Sequence, residues 1–242
     1  MFTLIHFREQ CSSPFLNIVH SGAGVAKVTT NQHVSETATD QRRARLRDAL
    51  VAAAERTITQ QGLGSLRARA LAEEVGCAVG AIYNVVEDLD DLVLLVNART
   101  LAALERDLVA ADRAGEPAEG PNAAIARLVR MALAYLDFAA AQTPRWRTLF
   151  EHRMPAGRDV PAWYREQQQR LFAYVEELLL ELQADESRVR RALLARSLFS
   201  ALHGLVVLGL EEKLQTIPLP VLREQVRFVV TAIGRGMVTP ER

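Results

Sequence analysis

Cysteine is scarce in this sequence, and its scarcity excludes several kinds of site. The two cysteines, Cys11 and Cys77, are too few and too far apart for a disulfide scaffold or a zinc motif. The five histidines show no metal-ligand spacing either. We therefore predict no metal and no cofactor. Such cysteine usage fits a reducing cytoplasm.

Excess charge, apolar runs and catalytic motifs are also lacking. No apolar run approaches the roughly 18 residues of a membrane span, so we expect no membrane association. The formal net charge is zero, which means that any DNA binding must depend on a local basic patch. The sequence has no Walker loop, no Gly-x-Ser-x-Gly elbow and no Glu-x-x-His pair of a di-iron bundle. We predict that the protein is not an enzyme.

Helix-forming residues are abundant. Ala and Leu are frequent, aromatic residues make up 6% of the chain, and turn signals are widely spaced, which favours helices over strands. A length of 242 residues suits one or two helical units with a sizeable core. We predict an all-α protein with a disordered or arm-like extension over residues 1–40, a three-helix domain over 41–88, and a second helical domain over 89–242.

Residues 62–92 have the pattern of two short helices joined by a tight turn. Leu71 and Val75 recur with their apolar neighbours at helical spacing. Gly76 follows, where a helix must end with positive φ. Ile82 lies on the apolar face of a second helix of about two turns. This arrangement is a helix-turn-helix, whose second helix can enter the DNA major groove.

The same stretch resembles the N-terminal domain of the TetR family of bacterial transcriptional regulators. The resemblance covers roughly residues 42 to 95 and depends on the pattern Leu71-Ala72-x-x-Val75-Gly76-Cys77-Ala78-x-Gly80-Ala81-Ile82-Tyr83. It implies a cytoplasmic homodimer that binds a palindromic operator in double-stranded DNA and a small-molecule effector in its C-terminal body. The alternative is an all-α packing motif with no role in DNA binding.

Candidate DNA contacts come from the first helix and the helix-turn-helix. We expect Asp40 to cap a first helix whose start carries four arginines, which oppose the helix dipole and indicate an outside partner such as DNA phosphate. A merely solvated basic end is the alternative. In the recognition helix, Asn84 can read adenine, Gly80 allows close backbone approach, and Tyr83 can donate to a phosphate. The predicted DNA-binding residues are Arg42, Arg43, Arg45, Arg67, Val79, Gly80, Ala81, Tyr83 and Asn84.

Several positions depart from the pattern of the TetR family. Arg67 stands where a Ser or Thr usually caps the helix, Val85 and Val86 replace a His-Phe pair, and Leu89 replaces a phosphate-contacting lysine. The recognition helix also lacks charged residues, and the acidic residues within 87–91 would repel DNA if they faced it. The alternative function is therefore a TetR-like helical dimer that binds a ligand or partner, with weak or no specific DNA binding.

A long helix from Leu89 to about Ala111 is predicted to connect the DNA-binding domain to five further helices. A mostly apolar cavity between the central helices would suit a small lipophilic or aromatic effector, with Arg147 or His152 as polar anchors. Aromatic residues at helical spacing are more often plain core. The candidate ligand-binding residues are Tyr135, Phe138, Trp146, Phe150, Trp163, Phe172 and His203.

One face of the penultimate helix combines three small residues, Ser197, Ala201 and Gly204, with Leu208. Small faces allow close helix approach, so we predict that the last two helices of two subunits form a four-helix dimer interface. Close packing within one chain is the alternative. Residues 198–205 also resemble a C-terminal TetR subclass with a Trp-His-Gly signature, which favours the dimer. We predict a ligand-responsive transcriptional regulator, a repressor that its effector releases from the operator.

Overall fold

The computed structural model describes residues 37–115, 119–211 and 217–238, and within these ranges the chain is helical with no strand. The all-α prediction is confirmed. The predicted N-terminal extension lies almost entirely outside the described residues. The described part belongs to one compact unit. Its helices are α1 Ala38–Gln61, α2 Ala68–Val75, α3 Val79–Ile82, α4 Leu89–Arg113, α5 Pro121–Ala141, α6 Thr143–Glu151, α7 Ala162–Leu182, α8 Arg188–Leu210 and α9 Leu219–Met237, with a 3-10 turn at Leu63–Ser65.

The first helix begins three residues earlier than expected, and the prediction that Asp40 caps it is wrong. The N-cap is Thr37, whose hydroxyl accepts a hydrogen bond from the Asp40 backbone N–H at 3.2 Å. Asp40 is instead the third helical residue, and its carboxylate accepts from the Thr37 hydroxyl at 2.6 Å and from the Thr37 backbone N–H. The two residues form a capping box, which satisfies helix donors reciprocally. The side-chain hydrogen bond from Thr37 lowers the pKa of Asp40.

Helices α1 to α3 and the first turns of α4 enclose an apolar core. Leu50, Ile82 and Leu92 are completely buried in it. Helix α2 ends at Gly76, which has a left-handed φ of 74°, as the sequence predicts. The Cys77 backbone N–H returns to the Ala72 carbonyl at 2.9 Å, which satisfies one of the last carbonyls of α2. This core holds the helix-turn-helix in shape.

The recognition helix α3 is a single turn, so the prediction of about two turns is wrong. After Ile82 the chain continues through turns to Asp88, whose side chain caps α4 by accepting from the Asp91 backbone N–H at 2.9 Å. An N-cap residue has non-helical φ and ψ, so the chain must leave the helical conformation before Asp88. Val85 and Val86 are β-branched, which further weakens a helix at that point.

Five helices, α5 to α9, form the body, in the number that the sequence predicts. Pro121 and Pro144 lie in the first turns of α5 and α6, and the Ser187 hydroxyl caps α8 by accepting from the Arg190 backbone N–H. Helix α5 has apolar residues on most of its circumference, and α4, α6, α7, α8 and α9 pack around it. A helix that is apolar nearly all round is a buried central helix.

Helix α8 has the length and mean hydropathy of a membrane-spanning helix, although Arg196 interrupts its apolar residues. Its most apolar 18-residue window has a mean hydropathy of 1.7, and only 22% of that window is buried. Length and composition alone are weak evidence for a membrane span, because core helices of soluble proteins share them. The low burial instead draws attention to an apolar surface on α8 that the chain itself leaves uncovered.

Candidate DNA-binding and effector sites

The predicted DNA-binding residues lie mainly on the exposed surface of α1 to α3. Val79 and Tyr83 are large apolar side chains that remain 39% and 50% exposed. Neither buries its surface within the chain, so both are available to an outside partner. The exposed members of the predicted set are Arg42, Arg43, Arg45, Arg67, Val79, Gly80, Tyr83 and Asn84, while Ala81 is half-buried.

Two of the predicted arginines are engaged within the protein. The Arg43 Nη2 atom donates to the Asn84 carbonyl at 2.7 Å and so joins α1 to the end of the recognition segment. Arg67 Nη1 donates to the Gly64 and Leu66 carbonyls, each at 2.8 Å. Arg67 therefore secures the turn before α2, where the family pattern has a capping hydroxyl. Arg43 can both position the recognition segment and present positive charge to DNA.

Gly80 is not required by the internal packing of the protein. A Cβ atom at this position would have no neighbour within 4 Å, and Gly80 is not among the glycines with positive φ. Glycine in a helix is less favourable than alanine by about 1 kcal/mol. Its presence on an exposed helix face is consistent with close approach by another molecule, which the fold by itself does not demand.

The acidic residues at the start of α4 have partners in the body, Arg158 and His152. Arg158 forms ion pairs with Asp88 and Asp91, and Nη2 of Arg158 lies 3.3 Å from Glu87. The His152 Nε2 atom lies 2.9 Å from Asp90 Oδ1. These partners reduce the repulsion that the carboxylates would exert on DNA phosphates. Sequence reasoning missed them because they lie more than 60 positions further along the chain.

An apolar cavity of about 190 Å³ lies among helices α4 to α9. None of the described residues in its wall is charged, and Gln168 and Tyr135 contribute the polar groups. Such a site favours neutral apolar ligands, since an ion would lose its hydration without gaining a partner. The other side chains of the wall are Leu101, Leu104, Leu108, Leu128, Met131, Ala132, Leu149, Phe150, Leu171, Phe172, Val175, Leu198, Phe199, Leu202 and Val230.

The predicted ligand-binding residues divide between the cavity wall and its surroundings. Tyr135, Phe150 and Phe172 line the cavity. Trp146 and His203 lie next to Tyr135 but do not line the cavity. Phe138 is buried in the core of the body. The last member, Trp163, is 44% exposed and packs edge-on against Tyr164 at a ring distance of 5.6 Å.

A chain of hydrogen bonds fixes one end of the cavity. Trp146 Nε1 donates to the Tyr135 hydroxyl at 2.8 Å, and this hydroxyl lies 2.8 Å from His203 Nδ1. Because the tyrosine oxygen accepts from Trp146, its hydrogen can donate to an unprotonated Nδ1. Burial raises the pKa of Tyr135 and lowers the pKa of His203, so both groups favour their neutral forms. The network holds the tyrosine ring against the cavity.

Gln168 is a cavity residue that sequence reasoning missed. It belongs to a run of three glutamines on α7, a composition typical of a solvated face. Within the described residues its amide forms no hydrogen bond, whereas the amide of the adjacent Gln167 donates to the Ala98 carbonyl at 2.7 Å. Gln168 can therefore donate to and accept from a ligand. No local pattern distinguishes the two glutamines, because only the rotation of α7 against its neighbours does so.

Helix α6 connects the cavity to the first helix. Phe150 on α6 lines the cavity. On another side of the same helix, Arg145 Nη1 lies 2.9 Å from Glu55 of α1, and both side chains are mostly buried. The Asn97 side chain of α4 also approaches the Thr148 carbonyl of α6 at 3.4 Å. A ligand that displaces α6 would therefore act on α1 and α4.

The predicted dimer face is exposed on α8. Ser197 and Ala201 are exposed, Leu208 is 46% exposed, and a Cβ atom at Gly204 would have no neighbour within 4 Å. Close approach within the chain instead uses Gly209, where a Cβ atom would lie 2.6 Å from Leu222. The alternative of packing within one chain therefore does not apply to the predicted face. Exposed apolar side chains extend this surface along α8 and α9: Val189, Leu193, Val221 and Phe228.

A helix-turn-helix joined by one long helix to a cavity-bearing bundle is the architecture that the resemblance to TetR-family regulators implies. Residues 128–233 match the family model of tetracyclin repressor-like C-terminal domains, and this match confirms the resemblance to the TetR family. The narrower resemblance to the Trp-His-Gly subclass stays a prediction.

Solved structures of low sequence identity share the fold. A protein with unknown function from Rhodococcus sp. RHA1 has a TM-score of 0.61 and 24% identity, covering 86% of this chain and 100% of that chain. A TetR-like transcriptional regulator from Rhodococcus sp. RHA1 has a TM-score of 0.52 and 16% identity, covering 80% and 96%. The multidrug binding protein EbrR complexed with imidazole has a TM-score of 0.52 and 19% identity, covering 81% and 96%. No curated protein matches the sequence.

Proposed function

We propose that the protein is a homodimeric repressor that a small neutral ligand releases from DNA. The observation that carries this proposal is the continuity of α4. Leu92 and Val96 near its start belong to the core of the helix-turn-helix, whereas Leu104 and Leu108 near its end line the cavity. A helix of 25 residues is about 38 Å long and transmits displacement from one end to the other.

DNA recognition is assigned to the exposed surface of α1 to α3. Val79 and Ala81 can contact thymine methyl groups, Asn84 can pair with adenine, and Tyr83 can donate to a phosphate. Arg42 and Arg45 at the start of α1 form no ion pair within the described residues, so their charge is available to phosphates. Two such heads in a symmetric dimer would contact successive major-groove faces of a palindromic operator.

The effector is assigned to the cavity beside α4. Its volume of about 190 Å³ is below the roughly 300–1,000 Å³ of typical drug-sized sites, which favours a small ligand or one that enlarges the cavity on binding. The uncharged wall favours a neutral lipophilic or aromatic compound, and the Gln168 amide offers it one hydrogen bond. The presence of imidazole in the EbrR structure is consistent with small ligands on this fold.

Effector release follows from linkage between the two sites. A ligand that fits the cavity best when α4 and α6 are displaced would favour a different separation of the two heads and so weaken operator binding. DNA must then weaken the effector by the same factor. The cavity wall and the helix-turn-helix core share α4, so the displacement has a direct physical route.

Electrophoretic mobility-shift titration on the DNA upstream of its own gene, at two salt concentrations, tests the DNA-binding part. We expect a discrete complex containing two chains that weakens as salt rises, because phosphate contacts release counterions. Tyr83→Ala and Arg43→Ala should each weaken binding by about tenfold, equivalent to roughly 1.4 kcal/mol, without unfolding the body.

The second candidate function is a ligand-binding or partner-binding dimer on the same scaffold. It is favoured by the lack of any cation in the recognition segment and by the single turn of α3. Absence of a specific complex at about 50 mM salt, where phosphate contacts are strong, would support this function and overturn the repressor. Wild-type affinity in both variants would instead refute the roles given to Tyr83 and Arg43.

A further inference from the structure

A second groove, of about 460 Å³, lies between α5 and α9. Three of its lining residues are arginines, and none of the described residues that line it carries a carboxylate. We propose that this groove binds a small polyanion bearing phosphate or carboxylate groups, at a site separate from the apolar cavity. Its lining comprises Asn122, Ile125, Ala126, Val129, Arg130, Arg227, Thr231 and Arg235.

One of the three arginines is held in place by the protein. Arg130 Nε donates to the Ala111 carbonyl at 3.0 Å, and Nη2 donates to the Asp112 carbonyl at 2.9 Å. The guanidinium also lies against the backbone of Gly115, where a Cβ atom would come within 2.7 Å of it. Two carbonyls thus orient this cation, while the neighbouring Asp112 carboxylate accepts its hydrogen bonds from Arg127. A preoriented guanidinium loses little freedom when it binds an oxyanion.

The other two arginines have no compensating partner in the part of the chain that the structure describes. Arg227 and Arg235 form no ion pair or hydrogen bond within the described residues, although Arg56, Arg127, Arg158 and Arg223 are all paired with carboxylates. Positions 227, 231 and 235 lie on one stripe of α9, so Arg227, Thr231 and Arg235 face the groove together. Three like charges in one concavity repel each other, and an anion would relieve that repulsion.

The groove also offers neutral hydrogen-bond donors. The Thr231 hydroxyl and the Asn122 amide can both donate to an oxyanion. Asn122 is the second residue of α5, a helix of 21 residues, so the groove opens beside a helix N-terminus whose free N–H groups favour negative charge. Guanidinium groups, a hydroxyl and helix N–H groups are the donors that proteins use for phosphate and carboxylate.

The shape of the groove favours a ligand with separated anionic groups. Gly234 contacts Ile125 near the start of α5, and Val230 shares the apolar cavity wall with Met131 farther along it, so the two helices run in opposite directions. Arg235 therefore lies towards the α5 N-terminus and Arg227 towards Arg130. Eight residues of helix separate the two α9 arginines by about 12 Å.

The position of the groove excludes operator DNA as its ligand. Arg130 binds carbonyls in the last turn of α4, while the helix-turn-helix packs against the first turns of the same helix. These two ends lie about 38 Å apart, because α4 has 25 residues. The groove therefore lies away from the DNA that the head would contact.

Thermal unfolding of the full chain in inorganic pyrophosphate or citrate, against sodium chloride of equal ionic strength, tests the proposal. We expect at least one of the two polyanions to raise the Tm progressively as its concentration increases. A larger effect of pyrophosphate would indicate a preference for phosphate, and a larger effect of citrate a preference for carboxylate. The double variant Arg227→Gln/Arg235→Gln should weaken the apparent affinity at least about tenfold, because it removes two charge-assisted contacts.

The matched control is Arg106→Gln/Arg170→Gln, which removes the same charge from exposed positions on α4 and α7 outside the groove. We expect this control to keep the wild-type response. A Tm response no larger than that of chloride for both polyanions would overturn the proposal. So would equal weakening in the two double variants, since it would indicate an effect of net charge alone.

Discussion

At the scale of the residue, several charged side chains bind backbone groups of the protein and are not simply solvated. Arg67 and Arg130 bind backbone carbonyls and stabilise turns and helix ends. Asp88 caps a helix while it also pairs with Arg158. The partners of Arg67 are close in sequence, whereas Arg130 and the Asp88–Arg158 pair join distant parts of the chain. Gly80 is the opposite case, because nothing in the protein requires it.

Gly80→Ala should separate folding from DNA binding. The methyl group meets no atom of the protein, and alanine favours the helix by up to about 1 kcal/mol, so the free energy of unfolding should stay equal or rise. Operator affinity should fall at least about tenfold if DNA approaches this backbone closely. Denaturant unfolding and a mobility-shift titration measure the two quantities.

Gly64→Ala is the control for this comparison. Gly64 also has open space around its Cβ position and no positive φ, but it lies in the 3-10 turn before α2. This variant should keep wild-type affinity for DNA. Unchanged affinity in Gly80→Ala would mean that DNA does not approach α3 in the proposed way.

At the scale of the element, the start of α4 is the most informative helix end. The sequence places four carboxylates there, which suit the positive end of the helix dipole but oppose DNA. The structure adds Arg158 and His152 from the loop between α6 and α7. In the recognition helix α3, the glycine of the preceding turn can be predicted from the sequence. The length of α3 cannot, because the Asp88 cap of the next helix limits it.

Arg158→Gln should weaken DNA binding by releasing the carboxylates at the start of α4. The ion pairs of Arg158 lie at the surface of the protein, so their loss should have little effect on the stability of the fold. The freed charges would repel phosphates, and the loss of affinity should be larger at low salt. Mobility-shift titrations at two salt concentrations measure it.

Arg170→Gln serves as the control because it removes the same charge from an exposed site on α7 that forms no ion pair in the described part of the chain. It should bind DNA almost as the wild type does. An equal loss of affinity in both variants would contradict the specific role of Arg158 and point to net charge.

At the scale of the whole molecule, assembly and function depend on surfaces that the single chain leaves uncovered. The α8–α9 face is apolar, exposed and lined with small residues, which suits a symmetric interface. The α5–α9 groove is instead positively charged, because three arginines line it. Helix α9 thus contributes to two surfaces of different chemistry as well as to the core.

Ala201→Glu should convert the proposed dimer into a monomer. The side chain is exposed in the single chain, so the fold should tolerate it, but a carboxylate from each subunit would be buried at the interface. Sedimentation or light scattering should then report the chain mass of 26.8 kDa. Operator affinity should fall with the dimer.

Ala173→Glu provides the comparison, since Ala173 is exposed on α7 outside the proposed face. This variant should remain dimeric. A wild-type protein that is already monomeric, or an Ala201→Glu variant that stays dimeric, would refute the assigned interface.

Local residue patterns by themselves determined most of the helices of this protein. Apolar periodicity, prolines at helix starts and the glycine after α2 predicted an all-α chain and the helix-turn-helix, because these signals act within one or two turns of the backbone. They also predicted the long α4 and the five helices of the body.

Tertiary structure alone decided which side chains meet. Gln168 lines the cavity, whereas the adjacent Gln167 donates a hydrogen bond to α4. Tyr135 also lines the cavity, and His203 contacts the Tyr135 hydroxyl without lining it. Arg158 reaches acids about 70 residues away. These outcomes depend on the rotation and spacing of packed helices, which many distant contacts set together and which no local pattern encodes.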